Sequence, residues 1–519
     1  MAKQVYRALC SLTAGMAMTF STLAAAELPD YQQSSHWYRS GEALLEHKIA
    51  EPRLQKTAKN VILFVGDGMG ISTLTAARIL EGQLRGDNGE ENLLSFEAFP
   101  HTALIKTYNT NQQTPDSAGT MTAMMTGVKT RAGMINIDGD ALRADCAGTS
   151  GNELKTFLEL MEQRGRSTGI VSTARVTHAT PAATYARSPE RNWESDDSLS
   201  EEAIENGCKD IAAQLVSLAA GDGVDVILGG GRRHFTTTDN GGKRTDERDL
   251  IGEWQQRYAD QSAAYVQTDT ELAATDIDGT DKLLGLFTRS HMSYEADRVG
   301  NARDEPSIMQ MTASAIDLLS KNDNGYFLMV ESGRIDHGHH AGSAYTALHD
   351  TIAFAEAVKA AVARVDLDET LILVTADHSH VMTIAGYATR GNPILGKVKT
   401  NDGTGAPTGE PALAADDMPY TVLSYANGLG FADLGNEIDA DARYNLTINA
   451  GRTDLSDVNT EAPGFHQEAM VPLGSESHAG EDISLHAIGA GAELVQGTLE
   501  QNAVFHLMVG ATGLPVIAE

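Results

Sequence analysis

The chain has 519 residues, 41% of them hydrophobic, enough for one large core with room for an inserted subdomain. A formal net charge of −32 at pH 7 argues against nucleic acid or an anionic membrane as partner, and an anionic ligand would need a locally positive site. Beyond the N-terminal leader, no apolar stretch is long enough to cross a bilayer.

Residues 1–26 read as a secretory signal peptide rather than an uncleaved interfacial anchor. Lys3 and Arg7 precede an apolar run from Ala8 to Leu23, and Ala24-Ala25-Ala26 supplies a small-residue cleavage site. The mature chain is therefore expected to be exported, periplasmic or secreted, into an oxidising compartment. Cys10 leaves with the leader. Cys146 and Cys208 remain as an even pair, either a structural disulfide or two buried thiols.

The segment 35–57 reads as an amphipathic helix, either an arm for a partner subunit or a helix lying on its own domain. Strands and helices then alternate. "NVILFVGDG" (60–68) reads as a buried parallel strand and 71–83 as a helix. Strand patterns return at 169–173, 224–231, 325–332 and 370–380, with a long helix over 345–365. This alternation predicts a doubly wound, mostly parallel α/β sheet flanked by helices, with sites at the carboxyl ends of its strands. Residues 27–381 and 473–519 form that catalytic domain. Between them, 382–472 is rich in Gly, Asn, Asp, Thr and Pro and reads as an inserted subdomain on the sheet's rim.

The strand ends carry the chemistry. Glu331 closes one strand, and Asp336 and His340 follow at the spacing of a helical turn. Asp377-His378 end the next strand, Asp67 ends the first, and His478 sits in the Gly/Ser loop "GSESHAGED". Mixed Asp/His sets suit zinc and all-oxygen sets suit magnesium. The glycines around Asp67 mimic a dinucleotide loop, but its carboxylate would face the pyrophosphate, so a metal bridge fits better. A lone histidine is more often a surface residue than a ligand, so His234, His291, His339, His349, His380, His466 and His486 stay unassigned, with His339 and His380 as possible supports of the ligands. In "TPDSAGTMTAMMTG", Ser117 stands at the first turn of a helix running to Thr126, as nucleophile or as plain N-cap, with Asp116 beside it as ligand or orienter. Arg191 could grip two phosphate oxygens in a fork, or form a surface ion pair.

"GDGMG", "DSAGT", "HATPAATYA", "RNW", "DVILGGGR", "ESGRIDHGHH", "TADHSH" and "SHAGED", in this order, resemble the metal-dependent alkaline phosphatases. The resemblance runs from about residue 35 to the end and lies nearer the animal-type branch, in a chain that reads as a bacterial secreted member. It implies a phosphate monoester hydrolase with an alkaline optimum. One zinc would lie on Asp336, His340 and His478, a second on Asp67, Asp377 and His378, and a magnesium on Asp67, Thr180 and Glu331. Ser117 becomes the nucleophile that forms a phosphoserine and Arg191 the phosphate clamp. His178 and His337 stand where some bacterial members have Asp and Lys, which implies a looser, water-mediated hold on phosphate. The resemblance further implies a Cys146–Cys208 disulfide, a crown over 382–472 and a homodimer. Animal-type members carry a calcium ligand, a Glu, directly after "GLF". Thr288 stands there instead, which speaks against a calcium site.

Two rival readings use the same residues. A phosphodiesterase or sulfatase could share the metal scaffold, although Asp116-Ser117-Ala118-Gly119 is not a sulfatase motif. A non-catalytic metal- or phosphate-binding protein would have no need of Ser117.

Overall fold

A computed structural model describes residues 28–50, 56–449 and 451–514. The signal-peptide reading lies outside them. The strands in the first part of the chain are β1 (Asn60–Gly66), β2 (His101–Lys106), β3 (Ser167–Arg175), β4 (Val226–Gly230), β5 (Ala263–Val266), β6 (Lys282–Leu286), β7 (Tyr326–Ser332) and β8 (Thr370–Ala376). Short pieces follow: β9 (Ser379–His380), β10 (Met382–Ile384), β11 (Leu423–Gly428), β12 (Ala432–Asp433), β13 (Phe465–His466), β14 (Ala469–Pro472) and β15 (His478–Ala479). The last two strands are β16 (Ile483–Gly489) and β17 (Gly497–Glu500).

Ten strands make one sheet in the order β17-β2-β16-β8-β1-β7-β3-β4-β6-β5. Only β16 runs against its neighbours; every other pairing is parallel. The central strands β7 and β8 are buried at every position and β1 at all but its first, as a parallel sheet covered on both faces requires. Their continuous Val, Ile, Leu and Phe runs made them legible as strands.

Register decides where the site forms. Gly66 of β1 lies level with Ser332 of β7 and Ala376 of β8, so Asp67 and Asp377, each one residue further on, emerge side by side. On β7, Glu331 lies opposite Ser172 of β3. The reading of 60–68 and 370–380 as unbroken strands was too long. β1 stops at Gly66, where the chain turns through Gly68 at φ +70°, and β8 stops at Ala376 before Asp377 and His378.

Helices cover both faces. Ala344–Val362 packs on Ile71–Leu84, Ile308–Leu319 and Arg334–His340. The fully buried Ala503–Thr512 packs against His36–Ala50 and Ser117–Thr126. The N-terminal helix thus starts as expected but lies on its own domain as far as Ala50. Residues 382–472 contribute the three-stranded sheet β10-β11-β14 and the pair β12-β13, apart from the main sheet. Cys146 and Cys208 form a disulfide.

Candidate active site

Among the described residues, three clusters of candidate metal ligands meet beyond the carboxyl ends of β1, β7 and β8. Asp67, Asp377 and His378 form one, Asp336, His340, His380 and His478 a second, and Asp67, His178 and Glu331 a third. Within each, the candidate ligand atoms lie within 4.8 Å of one another. Asp336 and His340 share a face of the helix Arg334–His340, one turn apart. His478 comes from β15, which pairs with β9 so that His478 lies opposite His380.

Backbone acceptors fix the imidazoles. His340 donates from Nδ1 to the Glu476 carbonyl at 2.6 Å, and His478 from Nδ1 to the Pro115 carbonyl at 2.8 Å. Each therefore presents a bare Nε2, 3.4 and 3.3 Å from Asp336 Oδ1, as metal ligation requires. In the neighbouring cluster His378 Nε2 lies 3.4 Å from both Asp67 Oδ1 and Asp377 Oδ2.

The electrostatics ask for cations. Both carboxylate oxygens of Asp67, one each of Glu331 and Asp377, and the Thr180 hydroxyl are buried without a hydrogen-bond partner. Native interiors rarely leave such groups orphaned. Burial pushes Asp67 well above the carboxylate range, with Asp336 and Asp377 adding to it, and raises Asp377 as well. Burial pushes Glu331 up to about 8, against the hydrogen bond it accepts from Ser172. Burial also opposes ionisation of Asp336, but His340, His380 and His478 outweigh it and hold that carboxyl well below its usual range. Four acids packed this closely are stable as anions only around positive charge, so the residues present fit divalent cations. Thr180 borders Glu331, outside hydrogen-bonding geometry.

Ser117 opens the buried ten-residue helix Ser117–Thr126, with its Oγ 3.1 Å from His378 Nε2. The N-cap is Asp116, not Ser117, so the serine hydroxyl is spared from capping. Asp116 accepts from Gly119 N at 3.1 Å, Gly133 N at 2.9 Å, Asn109 Nδ2 at 2.9 Å and Arg191 Nη1 at 3.0 Å. Burial would raise Asp116, but Arg191 and the backbone donors keep it below the usual range. Arg191 also reaches His178 Nε2 at 3.2 Å, and Asp67 and Asp336 lie close enough to help hold its charge. His337 flanks His178, with ring centroids 5.6 Å apart.

Two further residues stand at the centre, one read from the sequence only as a possible support of the ligands and one missed. His380, left unassigned, donates from Nε2 to Asp336 Oδ1 at 2.7 Å and from Nδ1 to Glu476 Oε2 at 2.5 Å. Burial works against a charged ring, yet Glu476 and Asp336 push its pKa up to about 10. Glu476 is the other; "SES" gave no hint of it, although His380 two residues past His378 was a usable signal. His339 supports from below, bonded to Thr73 Oγ1 at 2.9 Å and the Tyr425 hydroxyl at 2.8 Å. A cavity of 560 Å³ lined by Leu413, Tyr420, Tyr425 and Met470 lacks this concentration of candidate ligands.

The alkaline phosphatase family pattern matches residues 58–514. The tissue-nonspecific alkaline phosphatase of Gallus gallus is 42% identical over 502 residues, spanning 94% of this chain and 91% of that protein. The Homo sapiens counterpart is 39% identical over 516 residues, spanning 96% and 92%. Among solved structures, the Thermus thermophilus alkaline phosphatase superposes with a TM-score of 0.63 at 25% identity, covering 90% of this chain and 95% of that one. The enzyme of the Antarctic bacterium TAB5 shares the fold, with a TM-score of 0.57 at 23% identity over 88% and 99% of the two chains.

Proposed function

The chain belongs to the alkaline phosphatase family and is an alkaline phosphatase, and from that premise we propose that it hydrolyses phosphate monoesters through a phosphoserine on Ser117, at a site holding two zincs and one magnesium, with an alkaline optimum. The observation that carries this is Ser117 at a helix start, free of capping and 3.1 Å from His378, in a cluster where both oxygens of Asp67 and one of Asp377 are buried without partners.

Asp336, His340 and His478 would hold one zinc, and Asp67, Asp377 and His378 the other. Asp67, Thr180 and Glu331, all oxygen donors, suit the magnesium. Bound there, the cations supply charge neutralisation and lower the pKa of a hydroxyl or water. Uncatalysed phosphate monoester hydrolysis is among the slowest of reactions, so stabilisation of this order is required.

The chain's own groups do the rest. Ser117 Oγ attacks phosphorus as the bond to the ester oxygen breaks, and the alcohol departs with a proton. Water then cleaves the phosphoserine, releasing phosphate and restoring the hydroxyl. Arg191, aligned by Asp116, grips two phosphoryl oxygens, and the positive end of the helix Ser117–Thr126 faces the same charge. His178 and His337 border the phosphate through water. Local positive charge also explains how an acidic protein admits an anion.

Residues 382–472 act as a crown-like subdomain, and the enzyme works as a homodimer exported to the periplasm or medium, in a bacterial secreted branch of the family. The leader pattern and the Cys146–Cys208 disulfide support export. Among the described residues no helix is long and apolar enough to cross a membrane.

The test is release of p-nitrophenol from its phosphate monoester at alkaline pH, with the corresponding diester as control. Wild type should turn over the monoester, lose activity on chelation and regain it with zinc and magnesium. Folded, metal-loaded protein without turnover would favour a binding protein, and preference for the diester would favour a phosphodiesterase.

A further inference from the structure

His178, His291 and His337 gather beside the oxygen pocket of Asp67 and Glu331. The rings of His291 and His337 lie 4.1 Å apart between centroids, those of His178 and His291 5.3 Å, all edge to face. Each imidazole takes a hydrogen bond from a different arginine. Arg191 donates to His178 Nε2 at 3.2 Å, Arg334 to His337 Nδ1 at 3.1 Å, and Arg175 to His291 Nε2. Each arginine is in turn held by a carboxylate: Arg191 by Asp116, Arg334 by Asp441 at 2.9 Å, and Arg175 by both oxygens of Glu194 at 2.7 Å.

An arginine can only donate, so the nitrogen facing it must accept, and a neutral ring then carries its proton on the other nitrogen. As arranged, none of the three rings has a free lone pair for a metal, although His178 stands within ligand distance of Asp67 and Glu331. The third pocket is left with oxygen donors alone, which suit a hard cation. His291 packs edge to face against both of the other rings, which also touch each other, and Glu194 anchors it through Arg175.

We propose that His291 is a positioning residue, a wedge that keeps His178 turned to Arg191 and so preserves the third pocket's selectivity for magnesium over zinc. Without the wedge, His178 can leave Arg191 and offer its nitrogen to a softer ion. His291 touches no reacting atom. The inference rests on the three-cation reading above.

The test is equilibrium dialysis of the whole enzyme against zinc and magnesium together, followed by elemental analysis. Wild type should retain two zincs and one magnesium per chain. In His291→Ala the third position should pass to zinc, with magnesium-over-zinc selectivity falling about tenfold or more. His291→Phe, which keeps the ring, should hold the wild-type ratio. Should the alanine variant not fold, His291→Gln, lacking the ring, must show the same shift. An unchanged third-site ratio in a folded variant with two zincs overturns the wedge alone. Wild type that fails to take up two zincs overturns the cation reading and the wedge with it.

Discussion

Asp116 offers the sharpest test of how the site is held together. Its carboxylate collects four donors, from Asn109, Gly119, Gly133 and Arg191, and both it and Arg191 are only 18% exposed. Asp116→Asn keeps the shape and, with its oxygen on Gly119 N, the N-cap, but it removes the charge and turns its NH2 toward Arg191 and the Gly133 N–H. What is lost is the charged hydrogen bond to Arg191, worth about 1.5–3 kcal/mol in a partly buried setting. If Arg191 clamps the phosphoryl group in the transition state, kcat/KM should fall roughly 10- to 100-fold, because 1.4 kcal/mol is one factor of ten. Asp116→Ala goes further. It also removes the cap, about 1 kcal/mol, and leaves all four donors without their acceptor, so melting should drop clearly. Steady-state hydrolysis of p-nitrophenyl phosphate and a thermal melt read both effects. An Asp116→Asn enzyme within twofold of wild type in kcat/KM would refute the tether.

His380→Ala strands Asp336 and the buried Glu476, and breaking such a pair costs about 3–5 kcal/mol; the variant should release one zinc per chain to a chelator far faster than wild type, and equal release rates would remove His380 from the account. Metal-free protein should lose stability as pH rises: Glu331, with a folded pKa near 8 against about 4.5 when unfolded, keeps a proton the unfolded chain gives up, so stability present below pH 4.5 drains away up to about pH 8. Melts at pH 5 and pH 9 with chelator should diverge, and should converge when the cations are restored; a metal-free melt indifferent to pH would contradict this. Replacing Cys146 and Cys208 together by serine opens a loop spanning 62 positions, worth about 4 kcal/mol by chain entropy. Melting should fall while metal content stays unchanged, and loss of bound metal would tie the disulfide to the site.

The central strands were legible because a parallel sheet buried on both faces demands unbroken runs such as "VILFV" and "LILV". Several strands further out were not. β2 alternates buried and exposed residues at the sheet's margin, β5 is mostly uncovered, and β16 runs antiparallel, a pairing that no local pattern announces. The helix Ala503–Thr512 is apolar on all sides, so it shows no amphipathic period. At the site, spacing exposed Asp336 with His340 and Asp377 with His378, since each pair shares one element. His478 came from its Gly/Ser loop, through the resemblance. Glu476 was hidden, and His380 legible only as a possible support, because their joint role is made by β9 pairing with β15 across about a hundred residues. His291 belongs with them: its partners His178, His337 and Arg175 come from distant segments, and only the folded chain assembles them.

The central claim is that Ser117 carries the phosphoryl group. The most direct measurement is to load wild type and Ser117→Ala with zinc and magnesium, mix each with a phosphate monoester, quench in acid and map phosphopeptides by mass spectrometry. The account predicts one phosphoryl group on Ser117 in wild type, and neither adduct nor appreciable turnover in Ser117→Ala. A metal-loaded Ser117→Ala enzyme that still turns over at the wild-type rate without any adduct would contradict it, leaving the cations in place but making water the nucleophile.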